Sequence, residues 1–254
     1  MSWHRYREAF LFCVCAAILA ATGFGNAMVQ AGPIYSGKLK LPPLGLGEGE
    51  IVVGGGSTNQ QNWSNGILEW TVSQDSSGLW HYQYTFDIAP DTKPAVSHII
   101  FEVSANLLVN EILNATMTDG AGNIASVSPT LGDFGPSGPS TPGIPGTLHG
   151  IKFERPESLT AGTKIIVSFD TFRSPVWGDF YAKGGAQAFA YNKGFTNPDF
   201  DPSDPPSNGS LLDHLLVPDT VSTVIPEPAS LLLASIGAGI WFLCRRRPWR
   251  VEMC

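Results

Sequence analysis

The sequence predicts an all-β domain, an antiparallel sandwich of jelly-roll or immunoglobulin-like kind, on three observations. Apolar and polar residues alternate with period two in several stretches. Clusters of Gly, Pro, Asn and Asp separate those stretches at short intervals. No apolar stripe of helical period occurs between residues 32 and 200. Helices alternating with strands are thereby excluded for this part of the chain.

The N-terminus is a different object. Arg5 and Arg7 precede an uninterrupted apolar segment at residues 10–21, the length of a signal-peptide core and too short to span a membrane comfortably. Val29-Gln30-Ala31 then gives a small-x-Ala cleavage pattern, so residues 1–31 are expected to be a signal peptide.

The exported domain is expected over residues 32–197. After a short strand at 51–53, residues 67–73 carry Leu68, Trp70 and Val72 on one face. Asp75-Ser76-Ser77-Gly78 supplies turn chemistry, and residues 79–88 follow with Trp80, Tyr82, Tyr84, Phe86 and Ile88 on one face, so the two stretches read as a hairpin. Residues 97–104 point Ile99, Phe101 and Val103 inward. Residues 163–171 do the same with Ile165, Val167 and Phe169, Ile166 being the exception. Further strands are expected at 112–117, 151–154, 179–182 and 187–191. Residues 132–146, rich in Pro, Gly and Ser, read as an exposed loop. Residues 198–224, rich in Pro and Asp, read as a semi-extended stalk, with 211–216 a short helical turn or a last strand.

Composition narrows the chemistry. Cys13 and Cys15 lie in the signal segment and Cys244 and Cys254 in the tail, so residues 32–225 hold no cysteine: no disulfide, no thiolate nucleophile, no thiolate metal ligand. The same stretch has nine basic and nineteen acidic residues, a net charge of −10, which disfavours nucleic acid as a partner.

The C-terminus has three parts. Val224-Ile225 leads into Pro226-Glu227-Pro228, where each Pro lacks an N–H and constrains its predecessor, so no helix continues leftward. Residues 229–244 are uncharged and suit a transmembrane helix of roughly 24 Å. Arg245, Arg246 and Arg247 end it and are expected to stay cytoplasmic. This arrangement closely resembles the PEP-CTERM sorting signal of Gram-negative bacteria. The resemblance implies export, membrane insertion through 229–244, and recognition near the triplet by an exosortase-type processing enzyme.

Chemistry in the exported part is sparser. The densest cluster, 169–185, includes Arg173, Trp177, Asp179 and Tyr181, and extended geometry would put the last three on one face. An aromatic beside a carboxylate and a guanidinium is what a sugar site uses. The competing reading packs Trp177 and Tyr181 in the sheet and pairs Arg173 with Asp170 or Asp179. Asp199, Asp201 and Asp204, or Asp119 to Asn123, could offer oxygens to calcium, though the spacing matches no EF-hand and solvated turns are the simpler reading. No metal ligand set, cofactor site or catalytic residue is therefore assigned. No Gly-x-Ser-x-Gly or His-Glu-x-x-His occurs. The expected function is that of a non-catalytic surface or matrix protein working within extracellular polysaccharide. The alternatives are a sugar-binding module around Trp177 and a secreted polysaccharide hydrolase. A domain without cysteine should unfold at the same midpoint with and without reductant, as followed by circular dichroism. A shift of midpoint would contradict the cysteine assignment.

Overall fold

A computed structural model describes residues 32–43, 49–55, 63–88, 94–138 and 141–218. The expected signal peptide, transmembrane helix 229–244 and sorting residues 226–228 and 245–247 lie outside these. Among the described residues no helix is long and apolar enough to cross a membrane.

Among the described residues the fold is all-β and antiparallel. Its strands are β1 (Ile34–Lys40), β2 (Ile51–Gly54), β3 (Ile67–Gln74), β4 (Trp80–Asp87), β5 (Val96–Glu102), β6 (Leu113–Asp119), β7 (Ile124–Ser126), β8 (Thr130–Phe134), β9 (Leu148–Glu154), β10 (Lys164–Thr171), β11 (Pro175–Gly178), β12 (Phe180–Gly184), β13 (Phe189–Asn192) and β14 (Leu215–Pro218). One six-stranded sheet has the order β1-β3-β4-β10-β6-β7, another β2-β13-β12-β5-β9-β8, and β11 pairs with β14 alone.

Period-two alternation builds the first sheet. On β4 every second residue, Trp80 to Phe86, is buried, and on β10 Ile165, Val167 and Phe169 are buried beside it. These rings meet apolar side chains of the second sheet: Tyr84 stacks on Phe101 with centroids 3.8 Å apart, Phe169 on Phe153 at 5.3 Å, and Phe86 tilts against Phe180 at 6.2 Å. One continuous apolar cluster thus joins the two sheets. Buried phenols need partners, and they have them. The Tyr82 hydroxyl donates to the Arg173 carbonyl at 2.9 Å and the Tyr84 hydroxyl to the Leu216 carbonyl at 2.8 Å.

The hairpin expected from residues 67–88 forms as β3 and β4. Asp75 closes it by accepting from the N–H groups of Ser77 and Leu79. Two expectations are corrected, and the calcium alternative at Asp119 loses its donors. The stalk placed at 198–224 is docked on the domain at its described end: residues 198–213 are mostly exposed, but His214, Leu215, Leu216 and Val217 are buried, and β14 pairs with β11. The loop placed at 132–146 starts inside β8 and buries Thr141 and Ile144. Asp119 offers no free oxygens to an ion, because both accept N–H groups: those of Ala121 and Asn123, the Asn123 amide, and Thr160. These bonds, the Asn123 side chain foremost, hold its carboxyl well below the usual range.

Tyr84→Phe should cost about 1–2 kcal/mol, because the buried Leu216 carbonyl loses a donor while the ring packing survives. Equilibrium denaturant unfolding measures it, and an unchanged midpoint would show that this bond does not hold β14.

Candidate functional site: a buried carboxylate cluster

The four residues proposed as a sugar platform do not form one. Trp177, Arg173, Asp179 and Tyr181 are all buried, at 2%, 6%, 0% and 0% exposure, so no ring face is open to a ligand. Nor do the aromatics share a face. The chain breaks between β11 and β12 at Asp179, leaving Trp177 in the main core and Tyr181 in a separate cluster with Ile100, Ile144, Leu148 and Phe195. The Tyr181 hydroxyl donates to the Pro142 carbonyl at 2.9 Å. Arg173 pairs with neither Asp170 nor Asp179. Its Nε and Nη2 grip both oxygens of Glu111 at 3.1 and 2.6 Å, and its Nη1 donates to Asn106. This fork-shaped pairing ties the loop before β6 to the end of β10, and it lowers the Glu111 pKa.

Asp179 belongs to another constellation. The β11–β12 break turns it inward, where the Asn192 side-chain amide donates to its Oδ1 and the Asn192 Oδ1 accepts from the Phe180 N–H. Two hydrogen bonds fasten the break to β5: the Asp179 N–H donates to the Glu102 side-chain Oε2 at 2.9 Å, and the Glu102 N–H to the Asp179 carbonyl at 2.8 Å. Glycine at 178 permits this approach, since a Cβ there would stand 3.0 Å from Glu102 Oε2 and 2.5 Å from Val217.

The returning C-terminal segment completes the cluster. One carboxylate oxygen from each of Glu102, Asp179, Asp199 and Asp201 lies within 4.8 Å of the others. A tight turn through Leu212 and Asp213, both at positive φ, brings in His214. Non-glycine residues reach that conformation at a cost, which the buried strand after them offsets. The His214 ring lies against Gly194, where any Cβ would come within 2.5 Å of its Cε1. Its Nε2 faces Asp179 Oδ1 at 3.5 Å and Asp201 Oδ1 at 3.7 Å.

Electrostatics follow from this crowding. Burial first, and the neighbouring carboxylates after it, push Asp179 up to about 9 and Glu102 to about 8. Burial and Asp199 push Asp201 to about 6. Such a group of carboxylates is stable near neutrality only with protons or a cation among them. Sequence reading singled out Asp179 for another chemistry and Asp199 and Asp201 as solvated. It missed Glu102, Asn192 and His214, whose apposition is set by pairing across the fold and leaves no local signal.

Comparison with known families adds one fact. The model of the PEP-CTERM protein-sorting motif matches residues 224–247. The chain carries a PEP-CTERM sorting motif, the mark by which exosortases recognise their substrates. The motif implies export and membrane-associated sorting in a Gram-negative envelope. No curated protein and no solved structure matches the chain.

Trp177→Ala should cost about 3–5 kcal/mol, the range for emptying a buried aromatic site. Denaturant unfolding of wild type and variant tests this. A near-neutral change accompanied by lost saccharide binding would restore the platform.

Proposed function

We propose that the exported part of this PEP-CTERM protein is a β-sandwich that works structurally, or by interaction, within extracellular polysaccharide at the cell surface. The observation that carries the reading is the sorting motif at 224–247, set a few residues beyond a strand, β14, that is locked into the domain. On this reading residues 1–31 are removed on export, residues 229–244 form the membrane helix, and Pro226-Glu227-Pro228 is presented to the exosortase close to the folded body. The net charge of −10 on residues 32–225 suits solubility in a hydrated, crowded layer.

The two alternatives have less support. A sugar-binding module at Trp177 needs an open aromatic face, and that ring is buried. A hydrolase needs two accessible carboxyl groups about 5–9.5 Å apart with room for a glycosidic bond between them. The carboxylates here approach more closely than that, and Asp179 is fully buried among them.

Replacing Pro226-Glu227-Pro228 with alanines should leave export intact and block maturation, because the arginine-ended apolar segment still inserts while the recognised break is lost. Mass spectrometry of the C-terminal peptide from cell fractions measures this. A full-length end at Cys254 in both wild type and variant would reject processing.

A further inference from the structure

His214 is almost wholly buried, and its Nε2 has no hydrogen-bond partner among the described residues; the same holds for Asp179 Oδ2. An orphaned donor or acceptor in the interior costs free energy unless something satisfies it. The other imidazole nitrogen, Nδ1, lies 3.2 Å from the Leu211 carbonyl, an acceptor only, so Nδ1 carries the proton. In the neutral ring Nε2 then presents its lone pair toward two carboxylates. Lone pair against carboxylate is repulsive unless a proton or a cation lies between them. A direct charge-assisted hydrogen bond would draw these atoms to about 2.7–2.9 Å. They stand at 3.5 and 3.7 Å.

That spacing has a simple occupant. Donors around a tetrahedral ion with bonds of about 2.0–2.1 Å stand about 3.3–3.4 Å apart. An imidazole whose far nitrogen donates to a backbone carbonyl is the usual form of a ligating histidine, its tautomer and orientation fixed from behind. Asp179 is oriented likewise by the Asn192 amide. We propose that Asp179, Asp201 and His214 bind a divalent cation of the zinc class, with Glu102 and Asp199 close by as further oxygen donors. The nitrogen donor selects such an ion over calcium, which takes six to eight oxygens.

The consequence is mechanical. Asp179 sits between β11 and β12, Asp201 in the returning segment and His214 immediately before β14. One ion would therefore staple the last strand of the domain to its middle, just before the sorting motif.

The test uses the full chain in detergent, purified without a polyhistidine tag and stripped with a chelator. Adding Zn²⁺ should bind one equivalent per chain and raise the unfolding midpoint by about 5–10 °C at a hundredfold excess over Kd. Co²⁺ in its place should give a visible absorption band of tetrahedral N/O ligation. His214→Gln and Asp201→Asn should each weaken Zn²⁺ binding at least tenfold and abolish the cobalt band. Asp201 is at the partly exposed rim, so its variant keeps the fold. No midpoint shift at millimolar Zn²⁺, or binding unchanged in both variants, would overturn the proposal. Stabilisation by Ca²⁺ alone that persists in His214→Gln would overturn it too.

Discussion

Tyr84 is the residue on which the rest of the described structure leans. Its ring stacks on Phe101 and so joins the two sheets, while its hydroxyl reaches past that contact to the Leu216 carbonyl of β14. A phenol can do both only in a dry interior where its O–H has one fixed acceptor. With no cysteine in the exported part, packing of this kind has to supply the stability that small secreted domains often take from disulfides. The neighbouring rings extend the same layer: Tyr82, Phe169 and Phe153 lie in one stacked series beside Tyr84.

Holding β14 has a second effect, on chemistry. Once Leu215–Pro218 is docked, the preceding turn has to bend sharply through Leu212 and Asp213. The bend aims His214 at Asp179 and leaves Asp199 and Asp201 facing Glu102. The carboxylate cluster is thus a product of the fold's closure. In sequence, β14 also lies just before the sorting motif at 224–247, so closure and sorting use neighbouring stretches of chain.

Sequence pattern revealed the parts of the fold where one strand face is buried and the other is not. β3, β4 and β10 alternate cleanly, and their inward residues are those the period-two rule names. β14 is buried at all four positions and so has no alternation to read; its Leu-Leu pair fits a helical turn as well as a strand. β1, with its exposed lysines and a central glycine, has too little apolar surface to stand out. The candidate site was harder still. Asp179 and Glu102 are hydrogen-bonded across 77 residues, once through the backbone and once through the Glu102 carboxylate, and His214 reaches Asp179 from the far end of the domain. Antiparallel pairing between sequence-distant strands creates such sites, and no spacing rule within a single sequence records it. The tail was legible for the opposite reason: triplet, apolar run and arginines are contiguous, so the family model found in 224–247 what local reading expected there.

Docking of the last strand is the central claim, and amide hydrogen exchange followed by mass spectrometry tests it most directly. Residues 215–217 should exchange as slowly as β10, through global unfolding of the domain, since their groups are buried and paired with β11. Exchange at the rate of a free peptide, while β10 stays protected, would make 198–218 a stalk after all and would dissolve the cluster around Asp179.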